Sequence, residues 1–279
     1  MYKFSFPRRI LTFFGMALAG LVVGAIVMGL VVGVVGVTAA SLRINTVIQD
    51  VTVFILPALA TAVMVSWRPA DMLGLRRGFT VFQLLCAVAV MICSMPVMNL
   101  LIEWNASLSL PSWASGLEAW MKATEENAQA AIKMIMEGPG AGVTIVAVLI
   151  VGVLAGLSEE LFFRGALQRI LGSGHLNVHA AIWITAVIFS LFHMQFYGFF
   201  PRVLLGAFFG YLLWWSGSIW LPVLMHALNN SIYVIAERSS MSETVNQLGT
   251  SDIWMILGSV ICTAALIYKL AKSRTRDAV

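Results

Sequence analysis

Residues 10–40 read ILTFFGMALAGLVVGAIVMGLVVGVVGVTAA, a run without a single charge. A helix needs about 20 apolar residues to cross the roughly 30 Å hydrocarbon core of a bilayer. The run is long enough to span and too long for the apolar stretch of a secretory signal, so it reads as a membrane anchor. Arg8 and Arg9 in front of it read as a positive flank that keeps the preceding residues in the cytoplasm, rather than as a twin-arginine export signal. Comparable apolar runs recur near 50–67, 79–104, 141–171, 178–197, 200–216, 219–236 and 253–271. The expectation is an all-α, polytopic membrane protein of about eight transmembrane helices, forming a single membrane domain over 1–279.

Composition agrees. The chain is 60% hydrophobic and 11% charged, with a mean hydropathy of +0.91. Soluble domains are roughly 45–50% apolar and about 25% charged, so a soluble globule, a disordered chain and a nucleic-acid binder are all excluded. Cys86, Cys93 and Cys262 lie inside apolar runs and read as small hydrophobes rather than a disulfide or metal framework.

Eight spans with a cytoplasmic N-terminus assign each basic residue to a side. Twelve fall at the cytoplasmic side: Lys3, Arg8, Arg9, Arg68, Arg76, Arg77, Arg164, Arg169, Lys269, Lys272, Arg274 and Arg276. Five fall outside: Arg43, Lys122, Lys133, Arg202 and Arg238. That bias predicts both termini inside, with 105–140 and 237–252 outside. The insertion 105–140 is helix-prone, and Trp113, Leu117 and Trp120 recur at helical steps. It is expected to lie along the outer interface. Its sequon, Asn105-Ala106-Ser107, reads as a chance match. Gly20/Gly24, Gly29/Gly33 and Gly206/Gly210 are spaced as helix-packing faces.

Ionisable groups inside spans are costly and mark function by default. Span four carries Glu159, Glu160 and Arg164 in SEELFFRGALQ; span five carries His193; span seven carries His226, Asn229 and Asn230. From the helix rise, Glu159, His193 and His226 lie about 18, 21 and 10 Å from the inner face, and span boundaries good only to several residues leave room for all three on one level. Glu160 and Arg164, at i and i+4 with the acid first, are expected to pair. Glu159 is rotated about 100° away and is the freer carboxylate, suited to general-base work. His226 and Asn230 share a face and are expected to donate to a developing oxyanion, while His193 helps Glu159 to orient water. Asn229 reads as a polar neighbour. His175 and His179 read as solvated or interfacial, and the methionines and phenylalanines as core and lipid-facing filler.

Glu159-Glu160-x-x-x-Arg164, Phe189-x-x-x-His193 and His226-x-x-x-Asn230 occur in that order. Together they resemble the three motifs of the CPBP (CAAX protease and bacteriocin-processing) intramembrane proteases, the family of the type II CAAX prenyl endopeptidases. The resemblance covers roughly 141–236, the expected catalytic core. It implies an eight-helix bundle with a polar cavity open to the cytosol, Glu159 and His193 activating water, and His226 with Asn230 as the oxyanion hole. It also implies that Arg164 holds Glu160 or a substrate carboxylate.

The resemblance further implies an endopeptidase acting on membrane-associated peptides or proteins, prenylated for some members, in the inner (cytoplasmic) membrane of a bacterium. The partners expected are that substrate and the lipid bilayer, and no nucleic acid. No cofactor is assigned. Two His and two Glu are zinc-ligand types, but no His-Glu-x-x-His string occurs. Ligation would also consume the base and the donor. A metal-free hydrolysis is therefore the preferred reading and zinc the lesser one. The rival class is non-enzymatic: an immunity or scaffold protein of the same fold, or a transporter with a buried proton relay. A transporter is expected to show inverted repeats, and none is visible.

Overall fold

A computed structural model describes residues 1–174, 176–239, 241 and 252–274. His175, Arg276 and most of the loop 237–252 lie outside the described residues. Those described build helices and no strand beyond the isolated bridge Tyr2–Ser66.

Helix α1 (Phe6–Val35) starts on Pro7 and stops at Gly36, φ 78°. Proline suits a first turn, where its missing N–H is not needed. Helix α2 runs Ala39–Val65; Thr38 and Ser41 cap it reciprocally, each side chain bonding the other's backbone N–H. The polar string SLRINTVIQD therefore belongs to the helix and not to a loop before a span at 50–67. This start places Asp50 in mid-helix, where a π-helical segment, Asp50–Ile55, begins.

Then come α3 (Val81–Ala106), α4 (Ser115–Ile135), α5 (Ala141–Gly172) and α6 (Val178–Phe192). The last three are α7 (Phe199–Ser216), α8 (Trp220–Arg238) and α9 (Ile253–Lys272). Pro96 interrupts the backbone ladder of α3. There Ser259 of α9 accepts from Val97 N at 3.4 Å and donates to the Cys93 carbonyl at 2.6 Å, tying the two helices at the break.

Among the described residues, six helices are long and apolar enough to cross a membrane: α1, α2, α3, α5, the stretch Phe196–Ser216 that includes α7, and α9. The chain is an integral membrane protein. The two expected spans that fall short do so for physical reasons. Helix α6 has 15 residues, about 22 Å. Helix α8 carries His226, Asn229 and Asn230 in its middle. Of the intramembrane histidines singled out in the sequence, His226 lies on α8 and His193 caps the C-terminus of α6.

The bundle has two distinct ends. At the basic end, Arg9 Nη1 donates to Ser173 Oγ at 2.5 Å, and Lys3 Nζ to the Val63 carbonyl at 2.8 Å. At the other end lies the insertion. Helix α4 and the turn before it expose Trp113, Leu117 and Trp120. Arg43 donates to the carbonyls of Ile135 and Glu137, and Arg238 to those of Met136, Gly138 and Gly140. Two cations thus satisfy carbonyls at and just beyond the C-terminus of α4. Asn105 is buried, donating to Phe196 O and accepting from Phe200 N. A side chain committed in both directions is no glycan acceptor.

Of the glycine pairs, Gly20/Gly24 meets Thr52 of α2, and Gly206/Gly210 meets Arg164, Phe189 and Gln168. Gly29 and Gly33 meet nothing within 4 Å. Cys86 is buried, but Cys262 is exposed on α9.

Candidate active site

The most buried part of α5 is its π-helical segment Leu161–Gln168, where every residue is buried. Such wide turns recur at functional sites. Glu160 and Arg164 are both fully buried and paired at 2.6 Å, as their spacing predicts. Glu160 Oε1 also accepts from His226 Nδ1 of α8 at 2.9 Å. Arg164 reaches across to α7, donating to the Gly206 carbonyl at 2.9 Å. Its guanidinium lies 4.3 Å from the Phe189 ring centroid and 5.6 Å from that of Phe209. One buried arginine therefore links α5, α6 and α7, and Glu160 adds α8.

Glu159 points elsewhere. Its Oε2 lies 3.9 Å from His193 Nε2 and 3.8 Å from His226 Nε2. That oxygen is buried and has no hydrogen-bond partner. Both separations exceed a direct hydrogen bond and suit one interposed water. His193 Nδ1 faces the Phe189 carbonyl at 2.9 Å. A carbonyl only accepts, so Nδ1 carries the proton and Nε2 of the neutral ring presents its lone pair toward Glu159. By the same logic His226 donates from Nδ1 to Glu160.

Glu159, Glu160, Arg164, His193 and His226 thus come together from three helices. Asn230 stands one turn along α8. Its amide donates to the Val151 carbonyl at 3.2 Å, and its oxygen accepts from Asn229 at 3.3 Å. One amide hydrogen is uncommitted. Asn229 is the polar neighbour that its sequence suggests.

The sequence reading treats phenylalanine as filler, but here it forms the walls. The Phe209 ring stacks on His226 at 5.0 Å, and Phe189 meets His193 edge-on at 4.9 Å. Phe54, Phe163 and Phe192 pack against one another next to them. The exposure of the site is uneven. The Glu159 and His193 side chains are 14% and 28% exposed. The groups toward the basic end, Glu160, Arg164 and Gln168, are sealed. His193 ends α6 beside the turn Phe196–Gly198, which Asn105, Glu125 and Trp120 hold against the insertion.

Sequence reasoning misses two contributors. Asp50 is buried and accepts from Ser158 Oγ at 2.9 Å, while its second oxygen has no partner. Ser158 precedes Glu159, and Asp50 interacts electrostatically with Glu159 itself. The available signal is an acid within reach of a span, obscured by starting that span at Asp50. The other contributor is the pair Gly152/Gly156. A Cβ on Gly156 would stand 2.9 Å from the Ala227 backbone nitrogen, and one on Gly152 would overlap Ser231. This close approach sets His226 against Glu160. Gly156→Val is expected to leave the helix content of the chain intact while pushing α8 away. An ångström of misplacement typically costs about 10²-fold in rate, to be read as kcat beside circular dichroism.

Among the described residues, no group of three His, Cys, Asp or Glu side chains is disposed to hold a metal. Glu160 Oε1 is already engaged by Arg164 and His226. These residues do not fit a zinc centre.

A carboxylate oxygen within 4 Å of two imidazole nitrogens, backed by a buried ion pair, forms a polar cluster inside the helix bundle. Residues 141–232 match the family model of type II CAAX prenyl endopeptidases, Rce1-like. The match covers α5, α6, α7 and most of α8, the helices that build the site. No curated protein and no solved structure matches the chain.

Proposed function

We propose that the protein is an intramembrane endopeptidase that cleaves membrane-associated peptides or proteins with a water activated by Glu159 and His193. The observation that carries this reading is the unpartnered Glu159 oxygen, one water's reach from two imidazole nitrogens. The family match supports the same class of reaction and a membrane-associated substrate.

In the proposed reaction Glu159 takes a proton from water while His193 Nε2 accepts the other water hydrogen and aligns it. The oxygen attacks the scissile carbonyl carbon, and negative charge collects on the carbonyl oxygen. His226 stabilises that charge only when it carries both protons, with Nδ1–H on Glu160 and Nε2–H on the oxyanion. The Glu160 carboxylate offsets the imidazolium, as an orienting acid does in hydrolase triads. Asn230 adds its free amide hydrogen. When the C–N bond breaks, the proton held by Glu159 passes to the leaving amine.

The test is a purified preparation acting on a quenched membrane peptide. His226→Ala and Asn230→Ala each remove a donor to charge that exists only in the transition state. Each is expected to lower kcat about 10²–10³-fold with little change in KM. Unchanged kcat in both variants would remove the oxyanion assignment.

Orientation bears on access. The bias of Lys and Arg makes the basic end cytoplasmic, and at that end the site is sealed. Its exposed edge, Glu159 and His193, adjoins the insertion end. With this orientation substrate reaches the site from the membrane or the outer side, not from the cytosol as the sequence reading expects. A reporter fused at Trp113 decides the matter. An outer signal is the expected result; a cytoplasmic signal would invert the bundle and restore cytosolic access.

A further inference from the structure

At the basic end, far along α5 from Glu159, lies a separate cavity of about 390 Å³. Tyr2, Gln168, Arg169 and Ser173 form its polar rim, and Val178 and Trp214 belong to its apolar wall. Arg169 donates from Nη2 to the Gly217 carbonyl at 3.3 Å, while its Nε is buried without a partner. Arg9 stands behind the rim. It is buried, bonded to Ser173 Oγ at 2.5 Å and 4.3 Å over the Tyr2 ring, and its Nε too has no partner. No carboxylate among the described residues lies within ion-pair distance of either guanidinium.

A buried cation such as Arg9 without a counter-ion is strongly unfavourable, and arginine pairs with phosphate through several donors at once. Charge of the same sign adjoins the cavity: Lys3 and Arg8 flank Tyr2 and Arg9 in the chain, and the Arg274 guanidinium lies 4.4 Å over the Trp214 ring. A cationic rim at the end of a membrane bundle, continued by an apolar wall between helices, suits a headgroup followed by an acyl chain.

We propose that this cavity binds an anionic phospholipid, with the phosphodiester at Arg169, the charge of Arg9 behind it, and a chain along Val178 and Trp214. The site is independent of the hydrolytic chemistry and does not rest on it. A free phosphate shares the anionic chemistry but has no use for the wall.

The experiment uses the full chain, delipidated in detergent and supplied with phosphatidylglycerol, phosphatidylcholine or inorganic phosphate. Bound lipid is counted by native mass spectrometry, and melting is followed in parallel. Phosphatidylglycerol is expected to bind and to raise the melting temperature; phosphatidylcholine and phosphate are expected to do neither. Arg169→Gln is expected to weaken phosphatidylglycerol binding at least tenfold. That variant also loses the bond to Gly217, so Val178→Trp, which fills the wall and keeps both arginines, provides the second test. It is expected to weaken binding by a similar factor while melting like wild type in phosphatidylcholine. Equal retention of the two lipids, stabilisation by phosphate alone, or unchanged phosphatidylglycerol binding in Val178→Trp would each overturn the proposal.

Discussion

Glu159→Gln is expected to reduce peptide hydrolysis to background while leaving thermal stability unchanged. The substitution keeps the shape of the side chain and its capacity for hydrogen bonds but removes the proposed base. Nothing else at the site is placed to replace it. Glu160 already accepts from Arg164 and His226. Asp50 is turned to Ser158. His193 alone lacks the anion that makes proton removal favourable. General-base catalysis contributes typically 10²–10⁴-fold, so the deficit is large against any residual rate. Because Glu159 makes no direct hydrogen bond or close ion pair, the folded state loses little with it. Single-turnover hydrolysis and a melting curve on the same preparation read the two quantities. Hydrolysis at the wild-type rate would end the case for this base; a collapse of the melting temperature would show that Glu159 is structural.

Arg164→Ala is expected to fail in the opposite way, through the fold. Arg164 and Glu160 are both fully buried, and the arginine also satisfies the Gly206 carbonyl and lies against two aromatic rings. Removing it strands a carboxylate in the protein interior. Breaking a buried pair on one side costs about 3–5 kcal/mol, a large share of the stability of a typical domain. The expected result is poor expression and a strongly lowered melting temperature, with activity lost as a consequence. Glu160→Gln combined with Arg164→Met removes both charges together and is expected to recover much of the stability but not the hydrolysis. Wild-type stability in Arg164→Ala would mean that the pair is not closed off from water. Full hydrolysis in the double variant would mean that Glu160 has no part in orienting His226.

Much of this site is legible in the amino-acid sequence. A carboxylate, a guanidinium or an imidazole within an apolar run is expensive enough that its presence is itself a signal. Helical spacing then sorts Glu160 toward Arg164 and Glu159 away from it, because i,i+4 neighbours share a face and adjacent residues do not. The helix count is less legible, since α6 is short and α8 polar. Those departures from the apolar pattern are where His193 and His226 sit. Asp50 escapes because polar helix and polar loop look alike in composition, and only the Thr38–Ser41 cap shows that α2 has already begun.

The sequence by itself determined that the chain lies in a membrane, that it is helical there, and which ionisable side chains lie inside its helices. All three follow from local costs: apolar length, backbone groups that lipid cannot satisfy, and the penalty on a buried charge. Tertiary structure decided the rest. Glycine at 152 and 156 draws α8 onto α5, so that His226 is shared between two carboxylates. Phenylalanines from α6 and α7 become the walls of the site, and its exposed edge falls at the His193 end. Two arginines at the basic end find no carboxylate among the described residues. These outcomes depend on contacts between residues far apart in the chain, and a pattern read along one helix carries no record of what faces it from the next.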